Sequence, residues 1–133
     1  MIKVYALNMN EKEAEAIWNK SASEEVLKKF KAYKQKTENA PFNPENFQYY
    51  TLIAEVYTND MKAAFERVTN FHLQKKKPKM KRFVWNRVDT GDILETEDGK
   101  RYRIEPFFNK TFEEIDEMFF ADPYTPLVDY QPI

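Results

Sequence analysis

Hydrophobic residues recur along this chain with two different periods. Ile2, Val4 and Ala6 alternate with Lys3, Tyr5 and Leu7, which predicts an opening strand. Ala14, Ile17 and Trp18 then share one helical face behind Asn10 and Glu13, an N-cap and its capping-box partner, so a first helix covers about Glu11 to Asn19. Ser21 or Ser23 caps a second, amphipathic helix, in which Val26, Leu27, Phe30 and Tyr33 recur at helical spacing between lysines. Lys36 to Asn46, with Pro41 and Pro44, reads as a connecting loop.

Tyr49 to Tyr57 is rich in Tyr, Thr, Ile and Val and predicts a central strand. Asn59 or Thr58 caps a following helix to about Thr69, with Met61, Ala64, Phe65 and Val68 inward. Past a basic loop at 73–82, Phe83 to Val88 predicts a strand with Phe83 and Trp85 on one side and Val84 on the other. Asp98-Gly99 is a hairpin signal, and a two-residue turn there pairs Ile93 with Ile104, Leu94 with Arg103 and Glu95 with Tyr102. Thr111 and Glu114 form a capping box before Phe112, Ile115, Met118 and Phe119, and an extended tail runs from Asp122 to Ile133.

Consecutive helices and consecutive strands both occur, so the fold class is α+β: a small, mainly antiparallel sheet of about four or five strands, helices packed on one side. All 133 residues form one domain. Composition sharpens two points. The chain has only two glycines, Gly91 and Gly99, so each is expected where the backbone needs positive φ. It has no cysteine, which removes disulfides and thiolate chemistry and is compatible with a reducing compartment. Its first residues carry no apolar run of signal-peptide or membrane-span length, so the expected location is the cytoplasm, away from membranes.

Charge is polarised. No Lys or Arg follows Lys110, and six acids leave residues 111–133 at -6, so the first 110 residues hold +5 of the overall -1. Between Lys75 and Arg82, six of eight residues are basic. The two regions either face each other, stand solvated, or meet partners.

Few chemistries are open. The serines are Ser21 and Ser23, both at a helix start, and His72 is the single histidine, which argues against a Ser-His-Asp site and against zinc. Neither glycine opens a phosphate-cradling turn, and no cofactor is implied. Carboxylates are plentiful, yet no spacing singles out a catalytic pair. Asp89 and Asp92 could ligate a cation, but Asp beside Gly91 is also what a tight turn requires. His72 falls at a helix end, where an imidazolium suits the dipole. No catalytic and no metal-binding residue is assigned.

Two surfaces remain as candidates. Lys75, Lys76, Lys77, Lys79, Lys81, Arg82 and Arg87 with Trp85 combine phosphate-neutralising cations with a ring that can stack on a base, as in single-strand nucleic-acid binders. Phe83 and Trp85 also alternate as buried strand residues do, so the same segment reads as a core strand after a solvated loop. Glu113, Glu114, Asp116 and Glu117 offer the opposite charge to a basic partner, even one that grips DNA, or line a short acidic helix.

Ala54-Glu55-Val56, Phe65 to Asn70, Gly91-Asp92-Ile93-Leu94 and Asp98-Gly99-Lys100 to Ile104 lie in the order strand, helix, insert, hydrophobic box and turn. In this residues 53–104 resemble a group of small uncharacterised proteins encoded by phages and other mobile elements, with a Ser-x-Gly-Asp-hydrophobic box. Asp89 stands where that group has Ser, and Pro106-Phe107-Phe108 replaces a Gly-aromatic pair. The resemblance implies an accessory protein in the cytoplasm of a bacterial host, without an established activity. The expectation is a non-enzymatic protein that binds a host or phage protein; nucleic acid is the alternative partner.

Overall fold

A computed structural model describes residues 1–38, 40–69, 77–106, 113, 114, 117 and 128–133. Among the described residues its helices include α1 (Glu11–Trp18), α2 (Glu24–Thr37) and α3 (Met61–Thr69), with a 3-10 helix at Pro44–Tyr49; Glu113, Glu114 and Glu117 are also helical. The strands are β1 (Ile2–Ala6), β2 (Thr51–Val56), β3 (Met80–Arg82), β4 (Ile93–Glu95), β5 (Arg101–Pro106) and β6 (Val128–Pro132). They form one antiparallel sheet in the order β3-β2-β1-β4-β5-β6. The fold is α+β. The sheet has six strands among the described residues, above the four or five expected, because part of the tail zips onto β5 with Ile104 opposite Tyr130.

Strand alternation sorts the side chains to two faces. Ile2, Val4, Val56, Leu94 and Ile104 meet Ala64, Phe65 and Val68 of α3 in one apolar core, and the Phe65 ring stands edge-on to Tyr130 at 6.4 Å. Each fully buried Ile, Leu or Val there contributes roughly 1.5–3 kcal/mol. Tyr5, on the opposite face from Val4, meets Phe47 of the 3-10 helix at 5.0 Å. The Arg101 guanidinium lies 3.8 Å over the other end of that contact, the Phe47 ring. Helical cover is therefore divided between both faces, where one side was expected, because both β1 faces carry rings or aliphatics that need shielding. No helix among the described residues is long and apolar enough to cross a membrane.

The helix caps follow the local sequence. Asn10 accepts from the Glu13 N–H at 2.8 Å, and Glu13 accepts back from the Asn10 N–H at 3.1 Å. Ser23, one of the two expected caps, starts α2 by accepting from Val26 N–H. Asp60, rather than Asn59 or Thr58, caps α3 by accepting from the Lys62 N–H at 3.0 Å. Trp18 departs from expectation: it is 87% exposed, and α1 buries no side chain. What holds α1 is an ion pair, Lys29 Nζ to the Glu13 carboxylate at 2.9 and 3.1 Å. In α2 the expected stripe is rotated, with Leu27 half exposed and Ala32 and Lys36 buried, because the last turns are the part that reaches the sheet.

The β4–β5 hairpin differs by one residue from the expected register. Thr96 N–H donates to Lys100 O and Gly99 N–H to Thr96 O, both at 2.9 Å, so the loop is the three residues Glu97, Asp98 and Gly99. Gly99 adopts φ +84° as the bulge residue rather than as half of a two-residue turn. The pairs are Ile93 with Arg103, Leu94 with Tyr102 and Glu95 with Arg101. Such a slip puts Ile93 and Ile104 on opposite faces; both stay buried because both faces are covered.

Candidate functional site

The strand expected at Phe83–Val88 lies three residues earlier, inside the expected basic loop. Lys81 pairs with Glu55 and Arg82 with Ala54, and there the β2–β3 ladder stops. The cause is a bulge in β2: Val4 faces Ala54 and Tyr5 faces Leu52, which leaves Ile53 as the extra residue. The Ile53 carbonyl accepts from Phe83 N–H at 2.8 Å and from Val84 N–H at 3.3 Å, and the chain then leaves the sheet.

Exposure nevertheless alternates without a break along 77–88. Lys77, Lys79, Lys81, Phe83, Trp85 and Arg87 are exposed, while Pro78, Met80, Arg82, Val84 and Asn86 are half-buried and Val88 is buried. Met80, Val84 and Val88 join the apolar core and so fix which positions face out. The segment is tied at three more points. Arg67 Nε donates to Pro78 O at 3.1 Å, an Arg82 guanidinium nitrogen to Val68 O at 3.4 Å, and Asn8 Nδ2 to Arg87 O at 2.8 Å.

The outward set joins charge to aromatic surface. Trp85 is 83% exposed, and the Arg82 guanidinium lies 4.5 Å from its ring centroid. Lys81 Nζ stands 5.1 Å over the Phe83 ring, itself 45% exposed. Residues 77–88 hold five cations and no acid. Burial, then the positive charge of Arg67, lowers the Arg82 pKa from its ordinary value. Arg87 is bridged to Asp89 at 3.1 Å.

Beside this surface lies a closed polar cluster. Asp92 Oδ1 accepts from Lys36 Nζ at 2.6 Å and from Leu7 N–H at 3.0 Å, and Oδ2 accepts from Asp89 N–H at 2.7 Å. Lys36 also donates to Leu7 O at 2.8 Å, and Tyr50 donates to Gly91 O at 2.7 Å. Burial pushes the Asp92 carboxyl up to about 6 against the pull of Lys36 and the two backbone N–H groups. Burial, with Asp92 nearby, holds the Tyr50 phenol well above its usual range. Every oxygen of Asp92 is engaged and the side chain is closed to solvent, so this cluster holds structure and offers no face to a ligand.

Asp89 and Asp92 do not converge on a cation: Asp89 turns outward to Arg87 and the Thr90 N–H, while Asp92 turns inward. Among the described residues no group of three His, Asp or Glu side chains is placed to hold a metal ion. A polar groove between α2 and the 3-10 helix is lined by Glu25, Lys28, Lys31, Gln35, Asn46 and Tyr49.

Of the predicted basic set, Lys77, Lys79, Lys81, Arg82, Trp85 and Arg87 lie on the one segment, and Lys75 and Lys76 lie outside the described residues, as does the helix-end His72. Glu113, Glu114 and Glu117 are exposed, and Asp116, with the Thr111 cap, lies outside the described residues. Sequence reasoning missed Lys36, which reads as the first residue of a loop but sits buried in the last turn of α2. The one hint was Gly91, whose positive φ marks the turn against which Lys36 lies. The chain matches no protein-family model, no curated protein and no solved structure.

Proposed function

We propose that this chain works by binding a macromolecule through the outward side chains of residues 77–87, as an accessory protein of a phage or other mobile element in the cytoplasm of a bacterial host. The origin rests on the resemblance of residues 53–104. The surface rests on the exposure of Trp85 beside Arg82 and the lysines. Lysines on a short edge strand have a structural use of their own, since they deter edge-to-edge pairing. That use does not extend to Phe83 and Trp85, because exposed rings on an edge promote association rather than prevent it. Rings and cations displayed together are instead the composition of a contact surface.

Retention from host lysate tests the reading. The wild-type chain and a Lys79→Glu/Lys81→Glu/Trp85→Ala variant are immobilised, and protein and nucleic acid retained by each are compared. A stoichiometric partner kept by the wild type and lost by the variant is expected. Identical retention by both overturns the assignment of the surface.

A further inference from the structure

We infer that the ligand of this surface is single-stranded nucleic acid, its phosphates met by Lys77, Lys79, Lys81 and Arg87 and one base stacked on the ring face of Trp85 that Arg82 leaves open. The inference rests on the proposed binding surface and adds the chemistry of the partner. Three observations converge on it. First, Lys77, Lys79 and Lys81 stand at every second residue, hence about 6.6 Å apart along the chain, and Arg87 follows on the same outward side past Phe83 and Trp85, a linear array that suits a linear polyanion. Second, no acid interrupts residues 77–88, and the Asp89 carboxylate that bridges Arg87 from outside them forms an exposed surface pair that a phosphate can replace. Third, Arg82 covers one side of the Trp85 ring while the residue stays 83% exposed, which leaves the other side to a flat partner.

A single strand fits better than the alternatives. In a duplex the base faces are already stacked, so Trp85 would have nothing to take. An acidic peptide would satisfy the lysines and leave the indole and the Phe83 ring without a flat counterpart. Stacking on an aromatic side chain is tolerant of base identity, so little sequence preference is expected.

Titration of the purified full chain with labelled dT and rU oligomers of about twelve nucleotides, and with a duplex of the same length, reads the outcome. Trp18→Phe, on α1, leaves Trp85 as the single indole reporter. Binding of either single strand with quenching of Trp85 is expected, and the sugar that binds more tightly identifies the source as DNA or RNA. The slope of log affinity against log salt should lie between about 2 and 3.5, as for three to five neutralised phosphates. Trp85→Ala should weaken binding roughly tenfold or more, and Trp85→Phe should recover most of it. Both changes fall at an exposed position, so circular dichroism should show the fold intact. Duplex binding equal to single-strand binding, or binding without quenching, overturns the inference. Absence of binding to every oligomer also overturns it; a lysate protein still lost by the triple variant would then leave the surface assignment standing with a protein as its partner.

Discussion

Lys36 and Asp92 form a 2.6 Å ion pair in which both side chains are withdrawn from water. The pair joins the end of α2, the end of β1 through Leu7, and the 89–92 turn. Taking two charges out of water is costly, and their attraction offsets that only when the remaining donors and acceptors are also met. Here the backbone groups of Leu7 and Asp89 meet them.

Breaking the pair from one side should therefore cost more than removing both charges. Lys36→Met alone leaves the carboxylate buried without its counter-charge, at an expected loss of about 3–5 kcal/mol. Lys36→Met with Asp92→Asn should lose less than the sum of the single changes, with a coupling of about 2 kcal/mol in urea unfolding. Additive losses would contradict the pairing.

The raised Asp92 value sets the sign of a pH effect. Its folded value of about 6 exceeds the ordinary 3.8, so the folded chain holds this proton more tightly than the unfolded chain. The contribution is full below 3.8 and is lost as pH rises through about 6. The wild type should accordingly lose stability relative to Asp92→Asn between about pH 4 and pH 6, and little more above that. Carboxyl-carbon NMR should place the Asp92 midpoint near 6. A midpoint below its ordinary 3.8 would show that the ion pair outweighs burial.

The two glycines should respond unequally to alanine. Gly91 has φ +86°, and a Cβ there runs into Lys36 Cγ and comes within 3.2 Å of the Lys36 carbonyl oxygen. Gly91→Ala should cost about 3 kcal/mol, from the left-handed backbone together with displacement of the buried pair. Gly99 has φ +84° with nothing within 4 Å, so Gly99→Ala should cost about 1 kcal/mol, the conformational part alone. Thermal unfolding of the two variants makes the comparison, and equal losses would remove the assigned role of the Lys36 contact.

Glu13 serves the α1 cap and the bridge to Lys29 with the same carboxylate. Burial works to raise its pKa, but the Lys29 hydrogen bond and the Asn10 N–H outweigh it and hold it below the ordinary value. Glu13→Gln keeps an acceptor for Asn10 and should lose about 0.5 kcal/mol, whereas Glu13→Ala loses both contacts and should lose about 1–2 kcal/mol. Hydrogen exchange of the α1 amides should show the second change opening α1 alone, since no buried side chain anchors it.

Local chemistry by itself determined the parts of this protein whose cause lies within a few residues. The alternation of Ile2, Val4 and Ala6, the Asn10–Glu13 box and the α3 stripe of Ala64, Phe65 and Val68 all stand as the residue order implies. Both glycines take positive φ, as their scarcity suggested. The cation and ring composition of the candidate surface was equally legible. Tertiary structure alone decided what depends on distant partners. Asp98-Gly99 suits either a two-residue turn or a bulged three-residue one, and the packing of the sheet chose the second, moving the register by one. A lysine at the start of a polar loop reads as solvated because its ammonium prefers water, and Lys36 is inside because Asp92 and the Leu7 carbonyl, far along the chain, replace that water. Phe83 and Trp85 alternate as core residues would. They face outward because the bulge at Ile53 ends the ladder and Met80, Val84 and Val88 take the inner side, a choice set by the neighbouring strand and not by the segment itself.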